Sequence, residues 1–134
     1  MQAKDLDGNI HKWQLIGGIA HGKSQNKSTF HLTAREIIHK CFPTMQILEE
    51  VSIQLRRSET LYLDFYIPMT RKAIEVHGEQ HYKFIPYYHN TMLGFLKHQK
   101  RDQEKQEWCQ INDITYIELP YNDTATWIER IQNV

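Results

Sequence analysis

Apolar side chains recur at Phe30, Ala34, Ile37, Ile38 and Cys41, the spacing of one helix face. Ser28 or Thr29 can cap that helix and Pro43 stops it, so the pattern predicts a helix over Phe30–Cys41. The period then shortens to two. Ile47, Glu49, Val51, Ile53 and Leu55 alternate within 46–55, which predicts a first strand with one solvated or functional face. After the polar turn 56–60 come two denser runs, Leu61–Ile67 and Ala73–Val76, on either side of Pro68-Met69-Thr70-Arg71. Both are rich in aromatic or β-branched residues and predict the paired strands of a hairpin. Residues 82–90 (YKFIPYYHN) follow neither period and predict a connecting loop. Thr91–Asn112 is charged, proline-free and spaced as a helix, Ile114–Leu119 reads as a last strand stopped by Pro120, and Thr124–Val134 reads as a closing helix with Trp127, Ile128 and Ile131 on one side. The order helix, three strands, helix, strand, helix predicts an α/β fold.

Residues 1–29 differ from the rest and predict an N-terminal arm or linker preceding a domain over 30–134. Within them Asp7-Gly8 signals a tight turn, so 4–13 predicts a small hairpin anchored by Trp13. Residues 22–28 (GKSQNKS) read as a flexible polar loop. The GKS tripeptide lacks the upstream glycine and preceding buried strand of a phosphate-binding loop. The lysines of this arm suit contact with phosphates, or they simply solvate it.

A chain of 134 residues with 40% apolar and 24% charged residues is large enough for one domain with its own core. Formal net charge is zero, so no global basic excess announces a nucleic acid, although acidic site residues can offset basic patches. Cys41 and Cys109 have no partners at metal-site spacing, which with no secretory signal predicts a reducing, cytoplasmic setting. The N-terminal apolar run, 15–20, is too short to span a membrane.

The chemistry is concentrated between Leu61 and Tyr82. Asp64 and Glu75 interrupt otherwise apolar strands, where an unpaired carboxylate costs several kcal/mol. The second run ends in His77-Gly78, with Gln80 and His81 just beyond. Two carboxylates on adjacent strands with imidazoles at the exit suit a divalent cation. Their plain alternatives are an edge-strand aspartate and loop histidines. Glu36 beside the first helical stripe reads most simply as a solvated partner of Lys40 at i, i+4, and Asp102 as part of a solvated helix face.

The element order, with Asp64 in the second strand and Glu75-Val76-His77 in the third, resembles the PD-(D/E)xK nuclease superfamily, histidine standing in place of its lysine. The chain is more closely similar to the Vsr-like branch, the very-short-patch-repair endonucleases and EDxHD homing endonucleases. There a strand ends in His-Gly, as at His77-Gly78, a second histidine follows, matching His81, and the next helix carries an Arg-Asp pair, matching Arg101-Asp102. Glu36 takes the place of their helical glutamate. The resemblance covers about residues 30–120. Glu75 departs from the apolar residue of the repair enzymes, the two histidines are one residue closer, and their cysteine-rich zinc site has no counterpart.

The resemblance implies a restriction-endonuclease-like αβββαβ core with a mixed four-stranded sheet flanked by helices. It implies an endonuclease that hydrolyses phosphodiester bonds of double-stranded DNA with Mg²⁺ or Mn²⁺, as a homing-type or mobile-element enzyme or its catalytic domain, and as a homodimer if it cuts both strands. Asp64, Glu75 and the Val76 carbonyl would hold the metal. His81 would be the base and His77 would stabilise the phosphate or leaving group, with Asp102 and Glu36 orienting imidazoles. Lys83, Tyr87, Tyr88, Lys97, Lys100 and Arg101 would contact DNA, with Lys105 a further phosphate contact. Tyr82, Phe84, Tyr87 and Tyr88 could instead cover the sheet edge. Two other readings of the chain are a catalytically inactive nucleic-acid-binding module and a zinc-stabilised domain using His77, His81 and the cysteines.

Overall fold

In a computed structural model, residues 1–15, 18–19 and 28–133 are described. The strands are β1 (Gln2–Lys4), β2 (Ile10–Lys12), β3 (Gly18–Ile19), β4 (Leu48–Arg56), β5 (Glu59–Ile67), β6 (Lys72–His77) and β7 (Thr115–Pro120). The helices are α1 (Thr29–Cys41), α2 (Pro86–His89), α3 (Met92–Ile111) and α4 (Trp127–Gln132), with short 3₁₀ turns at Glu79–His81 and Thr124–Thr126. Most of the predicted elements are present with ends shifted by one or two residues. Residues 82–90, expected to be loop throughout, contain α2, which Pro86 starts from its first turn. The closing helix is shorter than expected, because its first turn is 3₁₀.

The main sheet has the order β3-β4-β5-β6-β7. Its pairs are antiparallel except β6 with β7, which are parallel and joined through α3, as a parallel pair requires. The four long strands therefore form a mixed α/β sheet. On one face α1 and α4 bury Ala34, Ile38, Trp127 and Ile131 against Phe65, Ile67, Ile74 and Ile117. On the other, α3 brings Trp108 and Cys109 onto Val51, Leu63, Tyr66 and Ala73. Ser28 caps α1 by accepting the His31 N–H at 3.1 Å, and Thr91 caps α3 by accepting the Gly94 N–H at 3.1 Å. Gly94 is required there, since a Cβ would collide with the His89 carbonyl oxygen.

The strands are not regular throughout. On β4, Leu48 and Val51 point to the same face although they are three positions apart, and on β5 Leu63 and Tyr66 do likewise. The register aligns Glu49 with Phe65 and Val51 with Leu63, so the two breaks meet where Glu50 opposes Asp64. Glu50 absorbs its half with a left-handed backbone, φ 53°. Such irregularities re-aim side chains, and this one lies at the acidic position of β5.

Residues 1–15, expected to be an arm or linker, pack onto the sheet. β1 and β2 form the expected hairpin, but Ala3 and Trp13 are part of the core on the α3 face. The Trp13 ring packs edge-on to Trp108 with centroids 5.2 Å apart, and its indole N–H donates to the Ser52 carbonyl at 2.9 Å. Asn112 fastens the hairpin from α3, accepting the Lys4 N–H and donating to the Lys4 carbonyl. The expected polar loop and the apolar run before it fall largely outside the described residues. No described helix is long and apolar enough to cross a membrane.

Because Trp13 is 6% exposed, truncating it leaves a large cavity between hairpin and sheet. Trp13→Ala is expected to lower unfolding free energy by about 3–5 kcal/mol, measured by urea denaturation. A loss within about 0.5 kcal/mol, the range of ordinary surface substitutions, would show that the hairpin is not part of the folded core.

Candidate active site

The β5–β6 ladder runs from Ile67–Lys72 through Tyr66–Ala73 to Phe65–Ile74 and stops there. The next pair in that register is Asp64 with Glu75. Their side chains take over where the backbone bonds end: Glu75 Oε2 accepts the Asp64 N–H at 2.6 Å, and Asp64 Oδ2 accepts the Val76 N–H at 2.9 Å. The two carboxylates thus lie together in the gap between parting strands, on the face covered by α3. Bonds to backbone N–H groups fix one oxygen of each, leaving Asp64 Oδ1 and Glu75 Oε1 as the other two.

Helix α3 completes the surroundings. His98, Asp102, Lys105 and Cys109 follow one another at helical spacing, so one face of α3 looks onto β6. Lys105 Nζ lies 2.6 Å from Glu75 Oε1. Asp102 Oδ2 lies 2.7 Å from His81 Nδ1. His77 ends β6, His81 ends the following 3₁₀ turn, and their rings stack with centroids 4.1 Å apart and planes 8° from parallel. Tyr116 and Glu118 of β7 flank His77: the Tyr116 hydroxyl is 3.1 Å from Nε2 and Glu118 Oε1 is 3.4 Å from Nδ1. A His77 with its proton on Nδ1 satisfies both, accepting from the Tyr116 O–H and facing the Glu118 carboxylate. These groups collect at the carboxyl ends of the parallel strands, the end at which α/β sheets present ligand groups.

Exposure separates the two histidines. His77 is nearly buried, with 4% of its side chain exposed, whereas His81 keeps 26%. His81 lines an open groove of about 260 Å³ with Leu61, Tyr62, His98, Arg101, Asp102 and Lys105. With Nδ1–H donated to Asp102, its Nε2 has no hydrogen-bond partner among the described residues. A second cleft, of about 250 Å³, lies between the hairpin and β4. There the indole N–H groups of Trp13 and Trp108 are committed to the Ser52 and Gln54 carbonyls, and no carboxylate among the described residues lines it.

Burial pushes the Glu75 carboxyl up to about 8, the Asp64 charge adding to the effect and Lys105 opposing it. Lys105 loses charge stability by burial, but Glu75 beside it outweighs that and holds its ammonium above the ordinary lysine range. Burial, and then the neighbouring His81, lower His77, which favours the neutral ring. Burial, followed by Glu75, raises Tyr116 far above the usual phenol range and keeps its proton in place for His77.

The structure brings together Asp64, Glu75, Val76, His77, His81 and Asp102. It does not bring in Glu36. Helix α1 lies across the sheet from α3 and turns Ala34, Arg35 and Ile38 inward. Glu36 is therefore left in solvent, 72% exposed and 4.0 Å from Lys40. The same helix contributes a buried cluster elsewhere: Glu49 Oε1 meets His31 Nε2 at 2.5 Å and Arg35 at 2.8 Å. Its sequence signal is Glu49 falling among the inward positions of an alternating strand. Of the expected DNA-contacting residues, Lys97, Lys100 and Arg101 are on exposed parts of α3, Tyr87 and Tyr88 stand out from α2, and Lys83 is exposed near Glu79 at 3.8 Å. The partners missed in sequence are Tyr116 and Glu118, and the direct contact of Lys105 with Glu75.

His77, His81 and Asp102 have ligand atoms within 4.8 Å of one another. Near-parallel stacked imidazoles direct their in-plane lone pairs side by side, so as placed they do not converge on one ion at metal–nitrogen distances of about 2.0–2.1 Å. Neither cysteine joins them. Cys109 is buried in the core and its thiol is pushed up to about 12, chiefly by burial, which leaves it a poor thiolate ligand. The hard oxygens of Asp64 and Glu75, the latter already holding a lysine ammonium, fit a divalent cation better.

Comparison with known sequences finds viral relatives over part of the chain. Uncharacterized protein 307L of Invertebrate iridescent virus 6 is 43% identical over 70 residues, 51% of this chain and 36% of the relative. Uncharacterized protein 033L of Invertebrate iridescent virus 3 is 33% identical over 61 residues, 46% of this chain and 31% of the relative. Uncharacterized protein 094L of Frog virus 3 (isolate Goorha) is 39% identical over 62 residues, 46% of this chain and 40% of the relative. The shared segment thus spans between 31% and 40% of these relatives' own lengths. No family model matches the chain, and no solved structure matches it significantly.

The raised Glu75 group makes a signed prediction for the metal-free protein. A carboxyl with a folded value of about 8 and an ordinary value of 4.5 takes up a proton on folding. Its contribution to stability is full below the ordinary value and is lost as pH rises through about 8. In chelator, wild type is therefore expected to lose more thermal stability than Glu75→Gln between about pH 5 and about pH 9. Parallel melting curves for the two proteins across that window would contradict it.

Proposed function

We propose that the chain is a divalent-metal-dependent DNA endonuclease built on a restriction-endonuclease-like core, acting on double-stranded DNA. The observation that carries this reading is the meeting of Asp64 and Glu75 in the gap between β5 and β6, with two imidazoles at its mouth. Asp64, Glu75 and the Val76 carbonyl would hold Mg²⁺ or Mn²⁺. Such an ion neutralises charge on a phosphate and makes a bound water a stronger nucleophile.

The remaining chemistry belongs to the chain. Asp102 fixes the His81 ring with Nδ1 protonated, so Nε2 offers its lone pair to the groove. That makes His81 the group to take a proton from the attacking water. His77 has both nitrogens engaged by β7. Its role is therefore to wall the site and, through the stacked ring, to hold His81 in place, rather than the expected contact with a phosphate oxygen or leaving group. Arg101 in the groove and Lys97 and Lys100 on the same helix supply cations along the path of a phosphate backbone. Tyr87, Tyr88 and Lys83 extend that surface beyond the site.

Asp64→Asn keeps shape while removing the charge that a hard cation needs. The variant is expected to fold, to bind duplex DNA, and to lose Mg²⁺-dependent cleavage in a plasmid-nicking assay. Normal cutting by Asp64→Asn would overturn the metal role, and failure to fold would make its carboxylate structural. His81→Ala is expected to cut at least about 100-fold more slowly with DNA binding retained, the usual scale of lost general-base help. Undiminished cleavage would move the base elsewhere.

A further inference from the structure

The role inferred here for Lys105 rests on that metal-dependent reading. Its ammonium is 2.6 Å from Glu75 Oε1, and the side chains of the pair are only 17% and 2% exposed. It also lines the groove beside His81, Arg101 and Asp102. Backbone N–H groups already hold Glu75 Oε2 and Asp64 Oδ2. The Glu75 oxygen left to a cation by the backbone is thus the one that Lys105 now holds.

Formal charges give that exchange a purpose. With both carboxylates ionised, Asp64, Glu75 and Lys105 together carry minus one, which repels a phosphodiester. A divalent cation on the same carboxylates brings the sum to plus one, equal and opposite to the single charge of a phosphodiester. Lysine's flexible four-carbon stem lets its charge move without moving the helix. A buried ammonium deprived of its carboxylate needs another anion, and the groove it lines is where the phosphate would lie.

We propose that Lys105 is the internal counter-cation of this site: it holds Glu75 Oε1 while no metal is bound, gives up that oxygen to the metal, and turns onto a phosphate oxygen in the groove. In the metal-free protein it keeps two adjacent carboxylates from repelling each other, and in the loaded protein it binds substrate.

The test is Mg²⁺ titration without DNA, by calorimetry and thermal shift, on wild type, Lys105→Met and Asp64→Asn. Lys105→Met is expected to melt lower than wild type in chelator. It should bind Mg²⁺ at least about tenfold more tightly, because no buried ammonium competes. With Ca²⁺ as a non-cleaving ion, it should also lose the gain in duplex-DNA affinity that the ion gives wild type. Equal or weaker Mg²⁺ binding by Lys105→Met, beside a wild type whose binding Asp64→Asn abolishes, would overturn this proposal alone. No Mg²⁺ binding to wild type that depends on Asp64 would overturn the metal reading and this proposal with it. Should Lys105→Met fail to fold, ¹⁵N spectra of wild type decide. The Lys105 ammonium resonance must move when Mg²⁺ is added and stay fixed in Asp64→Asn. A fixed resonance in wild type that binds Mg²⁺ through Asp64 overturns the proposal.

Discussion

Two like charges side by side at the end of a strand ladder are the constraint on which the rest of this molecule turns. Glu75 is almost fully buried, and its nearest acidic neighbour is Asp64 in the next strand. Burying one carboxylate is costly, and burying a second beside it adds repulsion. Three features offset that cost. The Asp64 and Val76 N–H groups, freed where β5 leaves β6, donate to the carboxylates. Burial favours the protonated form of Glu75. Lys105 arrives from α3. The irregularity in β4 and β5 where Glu50 opposes Asp64 lies where the Asp64 carboxylate reaches across the gap to the Val76 N–H.

That arrangement depends on the sheet being mixed. An antiparallel β5–β6 pair places Asp64 opposite Glu75. The parallel β6–β7 pair then requires a long crossover, and α3 is that crossover. One helix face thereby delivers Asp102 to His81 and Lys105 to Glu75, while the next turn buries Trp108 and Cys109 in the core. The hairpin of residues 1–15 packs on the same core through Trp13. Holding α3 against the sheet and holding the site together are thus one task. Across the sheet, α1 and α4 supply packing, and the His31–Glu49–Arg35 cluster ties α1 to β4.

Much of this was legible in the sequence, for physical reasons that also mark its limits. The change from helical to alternating period gave the element order, since local burial sets the period. Asp64 and Glu75 stood out because carboxylates rarely interrupt apolar strands without a partner. His77 and His81 followed from their place at the strand exit, and Asp102 from resemblance alone. Glu36 misled because the same resemblance says nothing about which helix face turns inward; Ala34 and Ile38 decide that. The 1–15 segment looked like an arm because short strands carry few apolar residues, and one tryptophan's burial cannot be read from its neighbours. Lys105 sat in a charged run where any lysine could be solvated. Only the helical step from Asp102, three residues on, and the register of β6 place it against Glu75.

Everything proposed for this chain turns on whether the gap held open by Asp64 and Glu75 is a cation site. Anomalous scattering from a crystal of the wild-type protein grown with Mn²⁺ tests it without recourse to activity. A single strong peak bridging Asp64 and Glu75 is expected, with Lys105 withdrawn from Oε1. A peak confined to His77, His81 and Asp102, or no ordered Mn²⁺ beside either carboxylate, would contradict it.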